Sequence, residues 1–282
     1  MRLSLGSRLL MRIAVAVVLA FIYVPLIVIA IYAFNSSNLL EWPPPGLTTH
    51  WFPEAVKNTE VRDAFVTSLK VGAAATAIAL LLGTLASLAV ARHRFFGRET
   101  VSFLVVLPIA LPGIVTGVAL SDTFTQVLGV SLGLLTVIIG HATFCIVVVY
   151  NNVVARLRRS TVSVDEASAD LGADPWQTFW YITLPQMRTA LVAGALLAFA
   201  LSFDEIIVTR FTIGAGQETL PIWIFNNLFR PNQIPIVNVV AVIVVLLSIV
   251  PVYLAHRLTR EEEGVAGGRA AGRVAAEATS MP

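Results

Sequence analysis

Charge is scarce in this chain. Asp, Glu, Lys and Arg make up 13% of its 282 residues, about half the ~25% of a soluble domain, while hydrophobic residues make up 57% and the mean hydropathy is +0.82. That balance excludes an ordinary soluble domain and identifies an integral membrane protein. Lysine is nearly absent: the only two, Lys57 and Lys70, follow Val56 and Leu69. A phosphate-binding loop of the G-x-x-x-x-G-K-[ST] type needs a lysine after glycine, so hydrolysis of nucleotide by that route is excluded. Cysteine is limited to Cys145, which leaves no internal disulfide and reads as a small buried apolar residue. The histidines His50, His93, His141 and His256 lie in separate segments without the spacing of a zinc site. The sequence is therefore expected to carry no catalytic set, no metal and no bound cofactor.

What the chain does have is apolar length. Six runs of about 20 mostly apolar residues cover 13–34, 71–90, 101–120, 134–154, 189–208 and 236–255, each long enough at ~1.5 Å per residue to cross a ~30 Å hydrocarbon core as a helix. The fold class expected is all-α, a polytopic membrane protein with six transmembrane helices. The first run exceeds the length of a signal-peptide apolar region and no small-x-small cleavage site follows, so it reads as an anchor. Residues 1–12 form an amino-terminal segment, 13–260 the membrane domain, and 261–282, rich in Gly, Ala, Arg and Glu without apolar periodicity, a tail expected to be disordered.

Basic residues set the orientation. With the amino terminus in the cytoplasm, that side collects Arg2, Arg8, Arg12, Arg92, Arg94, Arg98, Arg156, Arg158, Arg159, Arg188, Arg257, Arg260, Arg269 and Arg273. The other side keeps Lys57, Arg62, Lys70, Arg210 and Arg230. The positive-inside rule then places both termini and the loop 155–188 in the cytoplasm. The net charge of +2 is a topological signature, and no soluble basic patch suggests nucleic acid. Trp42, Trp51 and Trp223 are expected to be interfacial anchors.

Between the fourth and fifth runs lies an insert that a span alone does not need. Ser163 followed by Glu166 fits a capping box opening a short helix, and Gly172 supplies a left-handed stop. Asp174, Pro175 and Gln177 fit the start of a second helix, which Pro185 is expected to end. On composition alone, this is equally an amphipathic connector on the membrane surface. Its residues say more: Glu166-Ala167-Ser168, Gly172 after three residues and Ile182-x-Leu184-Pro185 after nine more resemble the signature loop of ATP-binding cassette importer permeases, Glu-Ala-Ala, three residues, Gly, nine residues, Ile-x-Leu-Pro. Ser168 in place of the second alanine is the only departure at these positions.

The resemblance extends over nearly the whole chain. It is closest to spermidine/putrescine permease subunits, through Phe34-Asn35-Ser36-Ser37, residues 108–117, Ser202-Phe203-Asp204-Glu205 and Thr219-Leu220-Pro221 followed by Trp223-Ile224-Phe225. It implies the type I importer permease fold in a bacterial inner membrane, and one half of a translocation pathway for a small solute, with a polyamine as the leading class. It also implies that Glu166, Ala167, Ser168, Gly172, Ile182, Leu184 and Pro185 couple the chain to a separate ATPase subunit. ATP would be used by that partner and not by this chain. The other expected partners are a second permease subunit, an extracytoplasmic solute-binding protein and membrane lipid.

Candidate pathway residues follow from chemistry. Asp204 and Glu205 near the outer end of the fifth run are ionisable residues at membrane depth, suited to a di- or tricationic amine, and Asp204 is preferred because adjacent helical residues point about 100° apart. Ser202 precedes them. Thr116 sits among Pro108, Pro112, Gly113 and Gly117 in the third run, a density that kinks or breaks a helix and suits either pore lining or tight packing. His141 reads as an interhelical hydrogen-bond partner. Sulfate, iron, thiamine and phosphonate remain alternative cargoes, and a channel or secondary transporter without an ATPase is an alternative of a different class.

Overall fold

The computed structural model describes residues 5–159, 163–249 and 253. The expected disorder of 261–282, the last residues of the sixth run and the Ser163 side chain lie outside that description. Among the described residues there is no strand, and only an isolated antiparallel bridge, Asn35 with Leu47, departs from helix and loop.

The described chain divides into two compact units, one up to Asp63 with Trp223–Ile249 and the other Ala64–Ile222. The first begins with helix α1 (Leu5–Ala33), whose apolar side chains from Leu9 to Val28 are exposed, as a helix meeting lipid should be. At its end the backbone of Asn35 is pinned. The Asn35 side chain donates to the Leu39 carbonyl (2.9 Å) and accepts from the Ser37 amide (3.1 Å), while the Trp51 indole donates to the Asn35 carbonyl (2.8 Å). Phe34 packs on Phe52 with ring centroids 4.9 Å apart. Trp51 opens helix α2 (Trp51–Lys57). Of the three expected interfacial tryptophans, Trp42 is exposed and Trp51 is partly buried, whereas Trp223 is buried and its indole donates to Glu60 at 3.3 Å. Trp223 is a core residue, because a buried indole N–H needs a partner and Glu60 supplies it.

The second unit holds most of helix α3 (Thr59–Arg92), then α4 (Arg98–Ala110), α5 (Gly113–Asp122), α6 (Leu134–Arg159), α7 (Ser163–Asp170), α8 (Pro175–Thr178), α9 (Leu184–Phe203), α10 (Ile207–Thr212) and the start of α11 (Leu220–Asn227). Its core forms where α6 packs on α9, burying Cys145, Val149, Val153, Leu157, Met187 and Ala198. Small residues allow close approach to α6 from both α9 and α3: a Cβ on Gly194 would lie 3.4 Å from the Val149 Cα, and one on Gly83 of α3 would meet the Ile146 carbonyl at 3.0 Å. Cys145 is a buried packing residue whose thiol donates to the Ala198 carbonyl at 3.3 Å.

Among the described residues, four helices have the length and apolarity to cross a membrane: Gly6–Ala33, Thr59–Arg92, Leu134–Arg159 and Pro175–Phe203. The third expected span is instead a broken pair, Arg98–Ala110 and Gly113–Val127, bent by 104°. Pro112 lacks an amide proton and disfavours helical backbone at the residue before it, and Leu111 accordingly sits at φ −82°, ψ 141°. The sixth run appears as a shorter apolar helix, Ile234–Ile249, to the limit of the description.

Pro185 does not end a helix as expected. The chain is helical from Pro175 to Phe203, with a wide π turn over Phe179–Thr183 just ahead of the proline. A π turn shifts the carbonyls away from the pyrrolidine ring and absorbs the missing donor, so Pro185 sits in the first turn of α9 without a break. The carboxyl-terminal end of this helix differs as well: the fifth run, expected to reach 208, stops as a helix at Phe203, and after a short turn α10 begins at Ile207.

Candidate functional site

Two sites stand at opposite ends of α9. At its entry, α7 and α8 form an elbow. Gly172 adopts φ +83°, its amide donates to the Ala169 carbonyl (2.9 Å), and the Ala173 amide donates to the Ser168 carbonyl (3.1 Å), a left-handed helix stop. No atom lies within 4 Å of where a Gly172 Cβ would stand. Backbone conformation, and not space, therefore demands glycine there.

The second arm opens with a complete capping box. The Asp174 carboxylate accepts from the Gln177 amide (2.8 Å), and the Gln177 side-chain oxygen accepts from the Asp174 amide (3.0 Å). Across the bend, the Ser168 and Thr178 hydroxyls are 2.9 Å apart, with Ser168 buried. The elbow thus satisfies its polar groups internally. What it turns outward is the remainder: Glu166, Ala167, Leu171, Trp176 and Tyr181 are exposed. Ile182 and Leu184 are partly buried, Pro185 is exposed, and the Arg156 guanidinium ties α6 to the start of α9 through the Gln186 carbonyl at 2.8 Å. A cavity of about 460 Å³ separates the elbow, at Ala169, Ala173, Pro175 and Thr178, from Leu88 and Arg92 on α3 and His93 just beyond it.

At the exit of α9 the polar groups turn inward. His141 is fully buried, its Nδ1 2.7 Å from the Ser202 hydroxyl and its Nε2 2.8 Å from the Thr209 hydroxyl. Thr209 donates its own proton to the Glu205 carbonyl (2.7 Å), so Nε2–H donates to Thr209 and Nδ1 accepts from Ser202. In this neutral tautomer each member of the Ser202–His141–Thr209 relay has its partner, and the relay joins α6, α9 and α10. Ser202 is therefore spoken for by His141. The Glu205 carboxylate accepts from the Val208 amide at 2.9 Å and caps α10. Asp204 ends α9 and is exposed, and among the described residues neither acid forms an ion pair with Arg210.

Thr116 lies apart from that group. It is partly buried on α5, bonded to the Pro112 carbonyl at 3.4 Å. The glycines around it are packing residues: a Cβ on Gly117 would come within 2.7 Å of the Phe211 ring, and one on Gly113 within 3.4 Å of Ile207. Residues 129–133, Gly-Val-Ser-Leu-Gly, have the letters of a nucleophile elbow, yet they form an irregular stretch before α6 and not a strand-to-helix turn. No cluster of three metal-ligating side chains occurs among the described residues.

The Ser168–Thr178 bond and the capping role of Glu205 were not anticipated. A hydroxyl at a small-residue position of the elbow and an acid three residues before Val208 were the available signals.

Comparison with known proteins agrees with this geometry. Residues 79–261 match the family model described as binding-protein-dependent transport system inner membrane component. The putrescine transport system permease protein PotI of Escherichia coli (strain K12) is 33% identical over 252 residues, covering 86% of this chain and 89% of that protein. The spermidine/putrescine transport system permease protein PotC of Haemophilus influenzae is 33% identical over 246 residues, covering 87% and 94%. Among solved structures, a chain of a bacterial ABC transporter involved in the import of the acidic polysaccharide alginate superposes with a TM-score of 0.68 at 16% identity, over 93% of this chain and 99% of that one. The all-helical fold expected from the sequence is thus that of an ABC importer permease.

Proposed function

The chain belongs to the binding-protein-dependent transport system inner membrane components and is a permease subunit of an ATP-binding cassette importer in the inner membrane, and from that premise we propose that its cargo is a polyamine. The observation that carries this is the 33% identity, sustained over most of both chains, with permeases named for putrescine and spermidine. The exit of α9 supports it. With Ser202 engaged by His141 and Glu205 by α10, Asp204 is the exposed carboxylate at that end, and a fixed negative charge at the mouth of a low-dielectric path favours a cation. Ser202 and Glu205 then hold the corner that presents it, and Thr116 on α5 is a separate candidate for the pathway lining.

At the other end of α9, Glu166 and Ala167 contact the ATPase subunit, Gly172 sets the bend, and Ile182, Leu184 and Pro185 carry the motion into the span. Because the helix is continuous from Pro175 to Phe203, displacement of the elbow moves the whole segment as a rigid body. ATP is bound and hydrolysed by the partner, a second permease completes the pathway, and a solute-binding protein delivers cargo from outside. Both termini and the elbow face the cytoplasm, as the arginine distribution supports.

Uptake of labelled spermidine and putrescine by cells lacking the gene and by cells with it restored tests the cargo. Restored uptake that unlabelled amines suppress, and that sulfate or a phosphonate does not, is the expected result. Unchanged uptake would reject the polyamine.

A further inference from the structure

The turn joining α3 to α4 has a composition that neither coupling nor cargo explains. Phe96 is fully exposed and Phe95 is exposed, in a segment running Arg92, His93, Arg94, Phe95, Phe96, Gly97, Arg98. Gly97 adopts φ +82°, which reverses the chain in a short turn and opens α4 at Arg98. One fully exposed and one partly exposed apolar ring between arginines are costly in water and favourable where an apolar phase meets an anionic one.

We propose that the 92–98 turn is an inner-leaflet anchor, in which Phe95 and Phe96 enter the acyl boundary and Arg94 and Arg98 hold the phosphates of acidic phospholipids. Two observations commit the site to lipid. The apolar run 71–90 ends just before Arg92 and the next begins at residue 101, so the turn is held at headgroup level by spans on both sides. The charge is complementary: within residues 92–99 the sequence carries three arginines and a single acid, Glu99, and basic residues immediately cytoplasmic of a span select anionic lipid. The inference rests on the cytoplasmic placement of this turn proposed above. His93 and Arg92 also line the cavity beside the elbow, so lipid held there borders the coupling site.

The test uses the full chain bearing Phe96→Cys, spin-labelled and reconstituted into vesicles of phosphatidylcholine alone or with phosphatidylglycerol. Cys145 is buried and leaves the introduced thiol as the reactive one. The expected result is a label open to oxygen and shielded from a water-soluble nickel complex in the phosphatidylglycerol vesicles, with shielding lost in phosphatidylcholine and in Arg94→Gln/Arg98→Gln. Equal shielding in both vesicles overturns recognition of acidic lipid. A label open to nickel throughout, or shielded only once ATPase subunits are added, overturns the anchor and assigns the turn to water or to that partner. Depth is read whichever way the chain faces. Protease digestion of a carboxyl-terminal tag in inside-out vesicles tests the sidedness separately.

Discussion

The two ends of α9 are both helix–turn–helix corners, yet they are built in opposite senses. The elbow at the entry closes its hydrogen bonds within itself, Ser168 to Thr178 and Asp174 to Gln177, and leaves Glu166, Ala167 and Trp176 outward. The corner at the exit closes its bonds across helices, Ser202 to His141 to Thr209, and leaves one carboxylate, Asp204, exposed. A self-contained corner moves as a piece against a partner. A corner bonded across helices keeps its place while the rest moves, which suits the wall of a pathway.

The comparison is most readily broken at Gly172. Because its φ is positive and its surroundings are open, a β-branched residue there costs on the order of 1–2 kcal/mol in backbone alone, concentrated in the bend itself. Gly172→Val is expected to abolish ATP-driven uptake with the protein still inserted, while Gly172→Asn keeps a measurable fraction, since asparagine tolerates the left-handed region. Equal loss in both variants would show that space and not conformation matters. At the exit, Asp204→Asn is expected to raise the apparent KM for spermidine about tenfold, the equivalent of ~1.4 kcal/mol, with membrane abundance unchanged. Unaltered KM would move the cation contact elsewhere.

His141→Ala sharpens the contrast through stability. It strands the buried Ser202 hydroxyl and removes the donor to Thr209, which keeps its bond to the Glu205 carbonyl, at a cost of about 1–3 kcal/mol for an unsatisfied group, and a lowered thermal midpoint in detergent is the measurement. Ser168→Ala, which restores the small apolar residue usual in the loop, is the mildest. Loss of one hydrogen bond costs roughly 0.5–1.5 kcal/mol, and it is expected to lower uptake more than thermal stability, because the bond braces the elbow and not the core.

Much of this was legible in the residues. Apolar length announced the long helices, and Gly172, Asp174 and Gln177 announced the elbow, because capping and left-handed stops are local chemistry. Pro112 broke its helix for the same local reason. Pro185 did not, because a π turn rearranges carbonyls over several residues and no spacing rule signals it. Ser202 looked like a pathway residue until α6 supplied His141 sixty-one residues away in sequence. Trp223 looked interfacial until α3 supplied Glu60. What stayed hidden was each partner that tertiary structure brings from a distant helix.

The claim that the elbow couples this permease to an ATPase is tested most directly by a thiol cross-link from Ala167→Cys, an exposed position on α7 in a chain whose native Cys145 is buried. In membranes containing the assembled importer, coupling through the elbow predicts a cross-linked product joining this chain to an ATPase subunit, with a yield that changes when ATP is added. A thiol that stays fully reactive toward a water-soluble maleimide in the assembled importer, with no such product at any nucleotide state, would contradict it.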